Sequence, residues 1–366
     1  MRIKAAVLRA ADAPYRIEDV DLAEPGPGEV RVRIAGAGFC HTDLLPRVPG
    51  GLAAPPIVTG HEGSGVVEAV GPAVTGLAEG DHVVLSYDSC RTCANCLAGH
   101  PAYCATFFPR NLTGADVAGG PGPMRDADGA PVAARWFGQS SLATHALVAA
   151  RDTVKVAADL PLELLGPLGC GVQTGAGSVL VALGVTAGSS FVVYGAGGVG
   201  LSAVMAARVA GAATVVAVDV NPARLDLAKE LGATHAFDGA DEALPFHVLE
   251  ATGDGAQYAL DTTGLPAVIT SAVNTLRPTG TLGLVGVQQG PLSLDPSALA
   301  VGRNLMGILE GDAVPQLFIP RLIDLWRQGR FPFDRLITTF PLDQVNEAEK
   351  ATTSGEVVKP VLIPAS

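Results

Sequence analysis

Residues 28–34, Gly28-Glu29-Val30-Arg31-Val32-Arg33-Ile34, alternate apolar and polar side chains, the period of a strand with one buried face. Residues 64–70 and 81–85 carry similar patterns, and Pro and Gly punctuate this half of the chain at short intervals. Together they predict a small β-barrel. Residues 111–135 are rich in Gly, Pro, Ala and Asp and predict a long surface loop.

The period changes after about residue 172. Strands are predicted at 191–194, 214–218, 258–260 and 281–285. A glycine turn after the first leads into an Ala-rich helix to about Ala210, and Asn221-Pro222 introduces a helix over 222–231. Alternating strands and helices imply an α/β fold with a doubly wound parallel sheet. An amphipathic helix near 316–328 and a short strand at 361–363 close the chain. They are too small to fold alone and are expected to pack on the barrel.

Residues 164–207 hold no charged side chain, so their length alone would suit a membrane span. Their eleven glycines, with turn signals such as Gly166-Pro167 and Ala187-Gly188, argue against lipid and for buried parallel strands. The N-terminus has no basic start followed by a long apolar run, so no secretory leader is expected and the protein is expected in the cytoplasm.

A length of 366 residues suits two or three domains, at roughly 150 residues each. With 48% apolar and 16% charged residues the chain is not disordered. Its net charge of −12, without a Lys/Arg run, argues against a nucleic-acid partner.

The chemistry-bearing residues then stand out. Cys90, Cys93, Cys96 and Cys104 follow C-x2-C-x2-C-x7-C. Four thiolates complete a tetrahedral zinc shell with no open position, so such a site is structural. An iron–sulfur cluster takes the same donors, although its usual spacing differs. Cys40 and Cys170 stand apart, with His61 between them. Two cysteines and a histidine can hold a catalytic zinc with one position left open. Spacing alone does not separate that arrangement from inert core cysteines and an ordinary polar histidine.

Gly195-Ala196-Gly197-Gly198-Val199-Gly200 matches GxGxxG between a predicted strand and a predicted helix, the context of a dinucleotide site. The helix N-terminus favours pyrophosphate there. Asp219, ending the next strand, suits two ribose hydroxyls and would repel a 2′-phosphate, which favours NAD over NADP.

Cys40-His41-Thr42-Asp43, Gly60-His61-Glu62, the cysteine quartet, Gly169-Cys170-Gly171 and the glycine fingerprint occur in one order along the chain. In that order the sequence resembles the zinc-dependent medium-chain alcohol dehydrogenases over nearly its whole length. Phe107-Phe108-Pro109-Arg110-Asn111, Phe137-Gly138-Gln139-Ser140-Ser141 and residues 164–177 resemble the benzyl-alcohol (aryl-alcohol) branch.

The resemblance implies a GroES-like β-barrel catalytic domain at 1–171, completed by 311–366, and a Rossmann NAD-binding domain at 172–310. The active site is expected in the cleft between them. It implies two zinc ions per chain: a catalytic one on Cys40, His61 and Cys170, and a structural one on the quartet. Zinc would bind the alcohol oxygen while hydride passes to NAD. Thr42 would take the alcohol proton, Asp43 would orient His61, and Glu62 would approach the metal transiently. His41 and Lys359 would meet the pyrophosphate, Thr174 and Val199 the nicotinamide, and Arg224 would lie near the Asp219 ribose.

Leu45 stands where relatives with a full proton relay carry histidine, so proton release needs water, the ribose hydroxyl or another group. Ser86 stands where some relatives carry a bulky aromatic and would widen the pocket, with Trp136, Val287 and Leu309 as apolar walls and Val287 also at the cofactor. The implied reaction is NAD-dependent interconversion of aromatic or allylic primary alcohols and aldehydes. A thiol-adduct formaldehyde dehydrogenase and a non-catalytic zinc and nucleotide-binding protein are the alternatives. A homo-oligomer is implied, with a dimer favoured over a tetramer by the 111–135 loop.

Overall fold

The alternating residues near the start of the chain form the strand Glu29–Gly38 in the computed structural model, which describes residues 1–117, 119–120 and 122–365. This strand organises the first of two units, made of Met1–Cys170, Val314–Pro320 and Asp334–Ser366. It pairs with Glu62–Val70, with His145–Ala149 and with the C-terminal strand Lys359–Ile363, all antiparallel. The short last strand thus does pack on the barrel, as expected, but the closing helix, Pro315–Arg327, belongs to it only as far as Pro320. His82–Leu85, Thr153–Val156 and Ile337–Pro341 complete a seven-stranded sheet. A second sheet of five strands runs Ile57–Val58, Arg2–Leu8, Arg16–Leu22, Met124–Arg125, Pro131–Val132.

The pairing of Glu29–Gly38 with Glu62–Val70 shifts register twice and ends with Gly38 opposite Glu62. Two glycines make this approach possible. A Cβ on Gly65 would collide with the Arg33 carbonyl, and one on Gly38 with the Glu62 carboxylate.

The second unit comprises Gly171–Ala313 and Arg321–Phe333. Its six strands are all parallel, in the order His235–Asp238, Thr214–Asp219, Ser190–Tyr194, Ala256–Asp261, Leu276–Leu284, Asn304–Gly307. Ser190–Tyr194 is buried along its whole length, as a central parallel strand must be. Val192, Val216, Val248, Ile269 and Leu282 fill one core, each contributing about 1.5–3 kcal/mol of burial. The helix Pro222–Leu231 starts where expected, with Pro at its first turn and Asn221 accepting from the Ala223 N–H.

Two expectations change. The 111–135 stretch is not all loop: Met124–Arg125 and Pro131–Val132 pair as strands, and residues 118 and 121 lie outside the described residues. The charge-free stretch 164–207 contributes one parallel strand, Ser190–Tyr194, but is mostly buried helix, including Gly171–Gly177 and Gly198–Ala210. Several of its glycines serve close packing: a Cβ on Gly175, for example, would collide with the Val199 carbonyl. Among the described residues, no helix is long and apolar enough to cross a membrane.

Candidate metal centres and cofactor site

The register of the barrel strands decides the first centre. Gly38 faces Glu62, so the residues just beyond the strand, Phe39 and Cys40, come beside His61. Cys170 follows the short helix Gly166–Gly169, whose glycines lie against the Leu85 and Glu62 carbonyls. One ligand atom from each of Cys40, His61, Glu62 and Cys170 lies within 4.8 Å of all the others.

Asp43 holds this group together from the inside. Its Oδ2 accepts from Cys40 N at 3.0 Å, and its Oδ1 from Gly60 N at 2.8 Å and His61 Nδ1 at 2.9 Å. That fixes the tautomer, with Nδ1–H donating to the carboxylate. Nε2 is left buried and without a hydrogen bond. A buried, lone-pair-bearing nitrogen aimed among two sulfurs fits a soft divalent metal such as zinc. The same cluster shifts the ionisation of its members. A hydrogen bond from Cys170 holds the Cys40 thiol well below its usual range, against burial, with Lys359 and His61 adding to it. Burial opposes charge on His61, but Asp43 and then Cys40 hold its pKa well above the usual value.

Glu62 is the fourth member, and its carboxylate already has a cation. Lys359 Nζ lies 2.8 Å from Glu62 Oε1 and 3.4 Å from the Phe39 carbonyl. Lys359 is only 5% exposed, because the C-terminal strand that carries it is paired into the barrel. Burial raises the Glu62 pKa, partly offset by Lys359.

Thr42 stays at the centre, its Oγ1 3.8 Å from Cys40 Sγ, and Leu45 is half-buried nearby in the same short helix. Ser86 is fully buried and donates to the Gly169 carbonyl at 2.7 Å. Trp136 is also fully buried, and its Nε1 donates to Asp43 Oδ1 at 3.0 Å. An indole N–H out of water needs such an acceptor.

The quartet forms the second centre. Cys90, Cys93, Cys96 and Cys104 place their sulfurs within 4.8 Å of one another. Backbone N–H groups of Cys93, Ala105 and Cys90 point at Cys90, Cys93 and Cys104 sulfurs at 3.2, 3.5 and 3.3 Å. The Thr92 N–H leads in holding the Cys90 thiol down to about 5. Burial and the hydrogen bond to Cys93 push Cys96 up to about 12. A closed zinc shell supplies the cation that sulfurs gathered this closely would share.

In the second unit the fingerprint glycines divide their work. Gly195 is left-handed at φ 94, and a Cβ on Gly200 would strike the Gly195 carbonyl. Gly197, by contrast, faces open space, so its backbone is free to meet a ligand at the start of the helix Gly198–Ala210. Gly198 and Val199 open that helix and are half-buried. Asp219 accepts from Ala196 N at 2.6 Å and Asn221 N at 2.8 Å, which ties the acidic residue to the turn. Arg224 keeps a buried Nε without a hydrogen bond. Thr174 is buried, its Oγ1 3.4 Å from Glu310 Oε2, while Leu309 is half-buried and Val287 is 61% exposed. His41 is exposed at the start of its short helix.

The sequence matches the alcohol dehydrogenase GroES-like domain over residues 26–158 and the zinc-binding dehydrogenase domain over 198–326. It is 51% identical over 365 residues to the geraniol dehydrogenase of Castellaniella defragrans, covering 98% of this chain and 97% of that one. The chain belongs to the zinc-dependent medium-chain alcohol dehydrogenase family. A zinc-binding-domain alcohol dehydrogenase from Burkholderia ambifaria has a similar solved structure, at TM-score 0.96 and 50% identity with full coverage of both chains. So does benzyl alcohol dehydrogenase from Acinetobacter calcoaceticus, at TM-score 0.96 and 43% identity, again over both whole chains. As a member of this alcohol dehydrogenase family, the protein combines a GroES-like unit with a Rossmann unit and uses zinc and NAD.

Three contributors were missed by sequence reasoning: the Lys359 partner of Glu62, the Trp136 donor to Asp43, and Gln139, which bonds the His61 carbonyl. None carries a local signal, since each acts only through long-range contacts.

Proposed function

We propose that this enzyme oxidises aromatic or allylic primary alcohols to aldehydes with NAD, and catalyses the reverse reaction. The meeting of Cys40, His61 and Cys170 around a free His61 Nε2 carries the reading. The substrate class rests on the geraniol and benzyl alcohol dehydrogenases to which the chain is similar.

Cys40, His61 and Cys170 hold the catalytic zinc and the quartet holds the structural one. When bound, zinc supplies a Lewis acid for the alcohol oxygen and NAD accepts the hydride, so alcohol and NAD⁺ give aldehyde, NADH and a proton. Asp43 keeps the His61 ring in the tautomer and plane that a ligand needs. Thr42 accepts the hydroxyl proton of the substrate at its Oγ1. Leu45 has no group to carry that proton further, so it leaves through water or a ribose hydroxyl. Lys359 pairs with Glu62 Oε1 and so would compete with the metal for that carboxylate. Gly197 and its neighbours bind the pyrophosphate, and Asp219 turns to the adenosine ribose. Thr174, Val199 and Val287 serve the nicotinamide end. The functional division falls at 1–171 with 311–366 for catalysis and 172–310 for NAD, in a cytoplasmic homodimer.

Initial rates of NADH formation with benzyl alcohol, geraniol and ethanol test the reading. Turnover of the first two well above ethanol is expected. Zinc-replete enzyme that oxidises none of them would overturn it.

A further inference from the structure

One short turn reaches His61 from three directions. Residues 136–140 read Trp-Phe-Gly-Gln-Ser, and the backbone is left-handed at Phe137 (φ 49), Gly138 (φ 69) and Ser140 (φ 52). Residues with a Cβ rarely adopt that conformation. Here surrounding contacts hold it. Ser140 Oγ accepts from Trp136 N at 3.0 Å and donates to the Val58 carbonyl at 2.7 Å, which closes the turn.

What the turn delivers is consistent. Trp136 Nε1 donates to Asp43 Oδ1, the oxygen that also receives His61 Nδ1. The Phe137 ring stacks on the His61 ring, with centroids 4.4 Å apart and planes at 23°. Gln139 Nε2 donates to the His61 carbonyl and its Oε1 accepts from Gly63 N, both at 3.0 Å. All three side chains are buried. Carboxylate, ring face and backbone are each fixed by a different residue of the same five.

We propose that residues 136–140 are a positioning element for the zinc ligand His61, with Trp136 acting through Asp43. The inference rests on the reading of Cys40, His61 and Cys170 as ligands. Trp136 reaches His61 through the Asp43 carboxylate. Its N–H is one of four donors that stop the Asp43 carboxylate from turning, and Phe137 stops the imidazole from swinging. A ligand so held returns to the metal after each brief detachment. A loosened one rotates away and the metal leaves.

The test compares the zinc-loaded enzyme with Trp136→Phe, Phe137→Leu and Leu8→Ala. The last truncates a fully buried core side chain of Arg2–Leu8, outside the site, and controls for lost stability. Zinc release to a chromophoric chelator is followed beside thermal midpoint, kcat and KM. The relevant release phase is the one absent from Cys40→Ser enzyme. Loss of a group that orients a metal ligand weakens metal binding about 10–100-fold. Trp136→Phe is therefore expected to speed that phase about tenfold or more, with kcat lowered and KM little changed. Leu8→Ala is expected to lose thermal stability without faster release. Release from Trp136→Phe and Phe137→Leu no faster than from Leu8→Ala would overturn the proposal. If wild type and Cys40→Ser release the same zinc, the ligand reading itself fails and the proposal with it.

Discussion

Lys359 Nζ sits 2.8 Å from Glu62 Oε1, and both side chains are buried in the barrel unit. Removing one partner of a buried pair strands the other charge and costs about 3–5 kcal/mol. Lys359→Met is therefore expected to lower stability by about that amount, read as a shift in urea midpoint. Lys359→Arg keeps the charge and should lose much less. Unchanged stability in Lys359→Met would show that the pair does not hold the barrel end.

The two metal centres should separate by mutation. His61→Ala is expected to leave one zinc per chain, the one in the quartet. Losing a group that stabilises developing charge costs about 10²–10³ in rate, and turnover should fall at least that far. Cys93→Ser should also leave one zinc, but with a clear drop in thermal midpoint. Metal analysis beside calorimetry checks both, and normal turnover in His61→Ala would remove His61 from the site.

Asp219 decides between cofactors. A hydrogen bond to a charged group contributes about 1.5–3 kcal/mol, or roughly 10–100-fold in binding. Asp219→Asn should raise the KM for NAD within that range and narrow the gap to NADP. Because Asp219 also receives the Ala196 N–H, some loosening of the glycine turn is expected with either cofactor. Equal NAD and NADP use by wild type would refute the assignment.

Asp152 should make stability depend on pH. Its buried carboxyl is held well above the usual range, by burial first and then by Asp88, against Arg151 and Arg91. The folded chain therefore keeps this proton to a higher pH than the unfolded chain, whose value is about 3.9. Stability from this group falls as pH rises from that value through the folded one. Asparagine does not titrate, so the midpoint of Asp152→Asn minus that of wild type should grow more positive with rising pH. A flat difference would count against it.

Much of this was readable in the residues. The quartet is legible because its ligands are neighbours in sequence, and GxGxxG because strand, turn and helix are contiguous. Cys40, His61 and Cys170 are different. Their spacing carries no signal, and it took the Gly38–Glu62 register to bring two of them together. Nothing near Lys359 in sequence points to Glu62 until its strand is seen paired beside Glu29–Gly38. Trp136 reads as an apolar residue until its N–H finds Asp43. The strands Met124–Arg125 and Pro131–Val132 are two residues long, too short for any period to show among prolines and glycines.

The quartet closes within residues 90–104, whereas the other centre draws on residues 40–170 and needs strands paired across the barrel. Closing a short loop costs less entropy than closing a long one. A chain emerging from the ribosome can therefore capture its first zinc from a local loop while the barrel is still open. The second arrives only when the sheet has found its register, so the enzyme's metal stoichiometry records how far it has folded.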